Sequence, residues 1–261
     1  DFLAGKWHFK AGDKAATLQN QGTITTPAGG QVYLIAPNVE NSGIITSPKG
    51  EVVLAAGHTV QLVDSANPDV QVVVSAPDSQ ALNLGQIVAH SGKVGIYGAL
   101  VNQRGIVNAD SAVVGENGKI VFKASRDTIL DAGSASSATG AGTGGEIHVL
   151  GDRVALLGDA KVNVSGQQGG GTVLVGGDNQ GQNPAIRNAK QSYVGKDAQI
   201  RADGLANGDG GKVIVWADDA TRGYGDISAR AGVQGGNGGF IETSGHYLDV
   251  AGARVSAAAG K

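Results

Sequence analysis

Asp218-Asp219, followed by Arg222 and later by His246, is the group of residues best suited by type to do chemistry. Paired carboxylates with a basic neighbour can share general acid and base work, as in cleavage of a polysaccharide. Two features weigh against it here. Adjacent residues on a strand point to opposite faces, and the chain has no Arg-Xaa-Lys sequence to supply the basic pair of an acidic-polysaccharide enzyme. The pair reads as a solvated turn after Trp216. The five histidines, His8, His58, His90, His148 and His246, match no metal-ligand spacing. With no cysteine there is neither a thiolate metal site nor a disulfide framework, and no cofactor is expected.

Glycine-rich motifs fare no better. Gly140-Ala141-Gly142-Thr143-Gly144-Gly145 has the spacing of a dinucleotide fingerprint but lacks the preceding strand and following helix that such a site requires. Gly235-Gly236-Asn237-Gly238-Gly239-Phe240 puts Gly and Phe where a calcium-binding nonapeptide needs Asp.

Binding is better placed than catalysis. Residues Asp178 to Ser192 form a polar insertion, read as a protruding loop. Its Asp178, Asn179, Asn183, Arg187 and Lys190 suit sugar hydroxyls or an acidic glycan, with Tyr193 as a stacking face. The competing reading is a solvated insertion with no ligand. A second insertion, Ser134 to Gly144, holds mainly Ser, Ala, Thr and Gly and offers little beyond flexible hydrogen bonding. Trp216 and Tyr224 flank a turn as a sugar platform would; Trp216 also ends an apolar run and is expected to cover the core.

These side chains must be positioned by a repeat. Leu18-Gln19-Asn20-Gln21-Gly22-Thr23-Ile24 returns as Val39-Glu40-Asn41-Ser42-Gly43-Ile44-Ile45, and more loosely around Asn83 and Asn102. Gly30-Gln31-Val32-Tyr33-Leu34-Ile35-Ala36 returns as Gly50-Glu51-Val52-Val53-Leu54-Ala55-Ala56. A period near twenty, built of β-branched runs punctuated by Gly and Asn, specifies a solenoid. Gly supplies 44 of 261 residues and aromatics only 4%, which suits a narrow stacked core. Segments with helical period are missing, so helical crossovers are excluded and an all-β parallel β-helix of roughly 10–12 coils is expected. Each coil should stack like residues over like at about 4.8 Å, allowing Asn side-chain ladders and Gly corners of positive φ. Val53 is expected to point inward and Glu51 outward. Residues 1–16 fall outside the repeat and are expected to pack an end. Residues 17–124 read as compact coils, which with 1–16 make a first unit 1–124, and 125–261 read as longer Gly-rich coils continuous with it. Net charge is −3 with Lys and Arg scattered, so nucleic acid is not an expected partner.

Together the block Asp1-Phe2-Leu3-Ala4-Gly5-Lys6-Trp7-His8-Phe9, the Asn20 and Gly50 repeats, and the units at Gly144-Gly145, Gly210-Gly211 and Gly238-Gly239-Phe240-Ile241-Glu242-Thr243-Ser244-Gly245 resemble the filamentous haemagglutinin family. Members of that family are the secreted partners of two-partner secretion systems. The resemblance implies a right-handed β-helix, with 1–124 matching the later part of a secretion domain and 125–261 the repeats that follow. It implies export through an outer-membrane β-barrel transporter to the surface of a Gram-negative bacterium, and a non-catalytic adhesin shaft that supports attachment to a glycan, matrix polysaccharide or host receptor. The family's early Asn-Pro-Asn-Gly motif does not occur, and Asn67-Pro68-Asp69-Val70 is only an echo. The sequence is therefore expected to begin downstream of that motif, inside a longer reading frame. The alternatives are a polysaccharide-degrading β-helix enzyme and a filament subunit that self-associates end to end.

Overall fold

The computed structural model describes residues 6–12, 16–63, 73–75 and 78–260. They form an all-β parallel β-helix. One wall is a nine-stranded sheet of three-residue strands: Thr23–Thr25, Ile44–Thr46, Gln86–Val88, Ile106–Asn108, Ala135–Ser137, Lys161–Asn163, Gln199–Arg201, Asp226–Ser228 and Arg254–Ser256. Every neighbouring pair in it is parallel. These are nine rungs among the described residues, near the ten to twelve expected; excursions from the helix take up the remaining chain. The other walls belong to a thirteen-stranded sheet. Its long strands, such as Lys93–Gln103 and Lys212–Gly223, turn a corner in mid-strand, where the register shifts at Gly98/Leu100 and at Ala217/Ala220. Lys119–Leu130 runs unbroken through residue 124.

Alternation places Val, Ile, Leu and Ala inside, in one continuous core from Val32 to Ala229 that includes Ile45, Ile87, Val107, Val162, Ile200 and Ile227 from one column, with Ser136 filling the rung between Val107 and Val162. Phe122 is its one fully buried large aromatic. Such a core needs little aromatic bulk because each rung covers the apolar face of the rung before it.

At the corners the polar residues stack as expected. Asn20 donates to Asn41 Oδ1 at 2.7 Å, Asn41 to Asn83 Oδ1 at 2.8 Å, and Asn83 to Gln103 Oε1 at 2.7 Å. The fourth member is Gln103 rather than Asn102, which faces outward in register with Leu82 and Ile129. Glycines of positive φ occupy turns as expected, at Gly29, Gly133, Gly158 and Gly252, but a second set of corner glycines has another role. Gly50, Gly92, Gly145, Gly171, Gly211 and Gly239 stack so closely that a Cβ on any of them would overlap the carbonyl oxygen of the glycine one rung earlier, and none has a positive φ. Close backbone approach, not left-handed geometry, selects Gly there.

Four expectations are corrected. Residues 59–63 and 73–75 do not form a coil of the helix. Thr59–Val63 pairs antiparallel with Lys6–Lys10 and with Val73–Ser75, and this small sheet lies on the flank of the helix. The N-terminal segment therefore packs a side, not an end. Beneath the cover, Val53 and Ala55 point outward yet are buried against Val60 and Leu62, with Trp7, Tyr33, Ile35 and Tyr97 around them. Val53 thus faces out of the helix, while Val52 and Leu54 enter its core. The unbroken run Val52-Val53-Leu54-Ala55-Ala56 has this cause, since a strand covered on both faces needs no alternation. Fourth, Ser134 to Gly144 is not a free loop. Ala135–Ser137 is a wall strand, and the short side chains of Ser134, Ser136 and Ala138 point into a narrow interior. The Asn67-Pro68-Asp69-Val70 echo and residues 1–5 lie outside the described residues.

Candidate functional site

The insertion after Val175 does not protrude. It folds back over the outward face of the wall, where Leu174 and Ile214 are buried despite pointing away from the core cluster. Gly177 and Gly181 lie against the indole of Trp216 closely enough that a Cβ on either would strike the ring. Trp216 is therefore roofed by the insertion and sits outside the helix core, which corrects the sequence reading. Its Nε1 donates to Asp218 Oδ1 at 2.9 Å, and Asn188 Nδ2 reaches the same oxygen at 3.0 Å.

The insertion's polar residues hold it down. Asp178 accepts from Lys212 Nζ at 2.6 Å, from Asn183 Nδ2 at 2.8 Å and from the backbone N–H of Asn179 at 2.7 Å. Burial pushes this carboxyl up, but the bonds from Asn183, Lys212 and Asn179 outweigh it and bring it down to about 2. Arg187 is ion-paired with Asp152 and donates to the carbonyl of Ser125. Asp178 and Arg187 thus tie the insertion to the wall, while Asn183 braces Asp178 from within the insertion. Lys190 stays exposed, with its backbone in the rung ladder. Tyr193 belongs to the strand Gln191–Val194, so it is part of the wall and not of the insertion.

Next to this roof lies an open groove of about 370 Å³, lined by Tyr193, Arg222, Gln191, Ala155, Arg153 and Asp127 among others. Parallel register creates it. Ile129, Ala155, Tyr193 and Arg222 occupy one outward row on successive rungs, and Asp127, Arg153 and Gln191 the neighbouring row. Asp127 and Arg153 form a two-pronged pair at 2.6 and 2.7 Å. Tyr193 meets Tyr224 edge to face at 5.9 Å. The Tyr224 hydroxyl donates to Asp249 Oδ2 at 2.8 Å, which raises the phenol's pKa. Arg222 lies over the Tyr247 ring at 5.2 Å. Of the groove residues, only Tyr193 was named as a ligand contact from sequence. The signal for Arg222 was its place one rung after Tyr193, legible only with the rungs in register.

Register brings His246 to the next rung opposite the Asp218-Asp219 bulge, between Gly245 and Tyr247, which pair with Ala217 and Ala220, but the two carboxylates are not joined to Arg222. Asp218 is bonded to Trp216 and Asn188, Asp219 is exposed on the bulge beside it, and Arg222 is stacked on Tyr247. Among the described residues no three His, Asp or Glu groups gather as a metal site.

No family model and no curated protein matches the chain. Among solved structures, the crystal structure of the HMW1 secretion domain from Haemophilus influenzae superimposes with a TM-score of 0.88 at 33% identity, over 98% of this chain and 69% of that one. The chain belongs to that family, the filamentous-haemagglutinin-like exoproteins of two-partner secretion. Within this secretion-domain fold, the similarity spans both the short early rungs and the longer later ones, since it covers nearly the whole chain.

Proposed function

We propose that this segment is a non-catalytic β-helical shaft at the base of a large surface adhesin of a Gram-negative bacterium, delivered by an outer-membrane β-barrel transporter. The observation that carries this reading is the rung-on-rung register. Each strand of the nine-stranded wall pairs only with the strands of the rungs before and after it, so the helix can grow in chain order as it leaves a pore, each rung templating the next. The secretion-domain likeness supports the same route. Residues 1–124 would supply the part nearest the exported end, and 125–261 would continue the shaft toward a distal region that attaches to a glycan, matrix polysaccharide or host receptor.

A whole-rung deletion tests it. Gly85 and Gly105 stack as rung neighbours, so removing residues 85–104 from the parent adhesin, expressed with its transporter, joins the chain in register. Surface display and cell attachment should persist at parental levels. Attachment lost while display is intact would assign the adhesive contact to this segment and overturn the shaft reading.

A further inference from the structure

Two stretches of the outer wall are covered, one by the antiparallel sheet and another by the insertion at 178–190. The groove at Tyr193 is open. Tyr193 is 37% exposed, and its ring is fixed in place by Tyr224. One side of the groove is the Asp127–Arg153 pair, whose oxygens and N–H groups are held in fixed positions by their mutual bonds. Gln191 beside them adds an amide. The other side is Arg222. Arg222 faces Asp249 on the next rung without forming an ion pair with it, and its guanidinium carbon lies 5.2 Å from the Tyr247 ring centroid, a contact that leaves its N–H fork unengaged.

This combination defines the ligand's chemistry. A tyrosine ring takes the apolar face of a sugar, and Asp127 and Gln191 take hydroxyls. An exposed guanidinium with its N–H fork unengaged takes a carboxylate through two parallel bonds. The volume lies at the small end of ligand pockets, which run from about 300 to 1,000 Å³, and suits one or two sugar rings. We propose that this groove binds an acidic saccharide of the uronic-acid type, with its carboxylate on Arg222 and a ring on Tyr193.

Titration calorimetry on the purified 261-residue chain tests this, with trigalacturonate and a glucuronate-containing tetrasaccharide as probes and maltotriose as the neutral control. At least one acidic probe should bind, weakening at least tenfold in Arg222→Gln and in Tyr193→Ala, and maltotriose should not bind. Arg222 is exposed and outside the core, so Arg222→Gln should keep the parental melting temperature and decides the matter even where Tyr193→Ala perturbs folding. Absence of binding by both acidic probes, equal binding of maltotriose, or affinity unchanged in Arg222→Gln would each overturn the proposal. The measurement involves neither export nor attachment, so its failure leaves the shaft function untouched.

Discussion

Asn41 Nδ2 donates to Asn83 Oδ1 at 2.8 Å across 42 residues of sequence, yet the two are neighbours by a single rung. The intervening chain leaves the helix, forms the flank sheet and returns in register. Both asparagines are fully buried, as is Gln103 beyond them. Each amide therefore satisfies the next, and the ladder ends on the backbone carbonyl of Gly105 at 2.9 Å.

Asn83→Ala should accordingly cost about 2–4 kcal/mol, because it strands the Asn41 donor and the Gln103 acceptor in a dry interior. Asn20→Ala, at the half-exposed end of the ladder, should cost about 1 kcal/mol or less. Urea denaturation of the two variants compares them directly. Equal losses would show that the ladder is not energetically continuous.

The repeat, the parallel stacking and the Asn ladder were legible because they depend on local period and residue type. What stayed hidden were relations between rungs and excursions. Val53 and Val52 look alike in sequence, and only the flank sheet makes one of them outward-facing and buried. Trp216 ends an apolar run as a core residue would, but the residues roofing it, Gly177, Gly181 and Asn188, lie 28 to 39 positions earlier. The groove at Tyr193 follows from register alone. Ala155, Tyr193 and Arg222 share no motif and become neighbours only when rungs of unequal length are aligned.

Gly22 and Gly43 occupy equivalent places in the repeat but should respond oppositely to substitution. A Cβ on Gly22 meets nothing within 4 Å, whereas one on Gly43 would overlap the carbonyl oxygen of Gly22. Gly22→Ala should thus change stability by no more than about 0.5 kcal/mol. Gly43→Ala must push two rungs apart and should cost about 3 kcal/mol or more. Thermal melts of the two variants provide the check, and a tolerated Gly43→Ala would contradict the close stacking.

Acid should release the roof over Trp216. The Asp178 carboxyl is held at about 2 against an unfolded value of 3.8. A depressed carboxylate gives stability that is present above the unfolded value and lost as pH falls toward 2. With partial solvent screening, that contribution is on the order of 1–2 kcal/mol. In a Trp7→Phe background, Trp216 emission should shift to the red between about pH 4 and pH 2. Asp178→Asn should show the same shift at pH 7. Unchanged emission in that variant would mean the roof is held by other contacts.

Val53→Asp and Val52→Asp separate the flank sheet from the helix. Val52 is buried in the stacked core and Val53 in the small cluster beneath Val60 and Leu62. Either aspartate would bury an unpaired charge and cost several kcal/mol if its surroundings stayed closed. The flank sheet can open more cheaply, since it rests on one small cluster, whereas the core continues through every rung. Val53→Asp should therefore lift the cover. Protease should cut within residues 57–79, and Trp7 emission should shift while far-ultraviolet circular dichroism keeps the β-helix signal. Val52→Asp should lower the melting temperature of that helix signal itself. If both variants lose the cover and the helix together, the flank sheet is integral to the fold and does not form a separable unit.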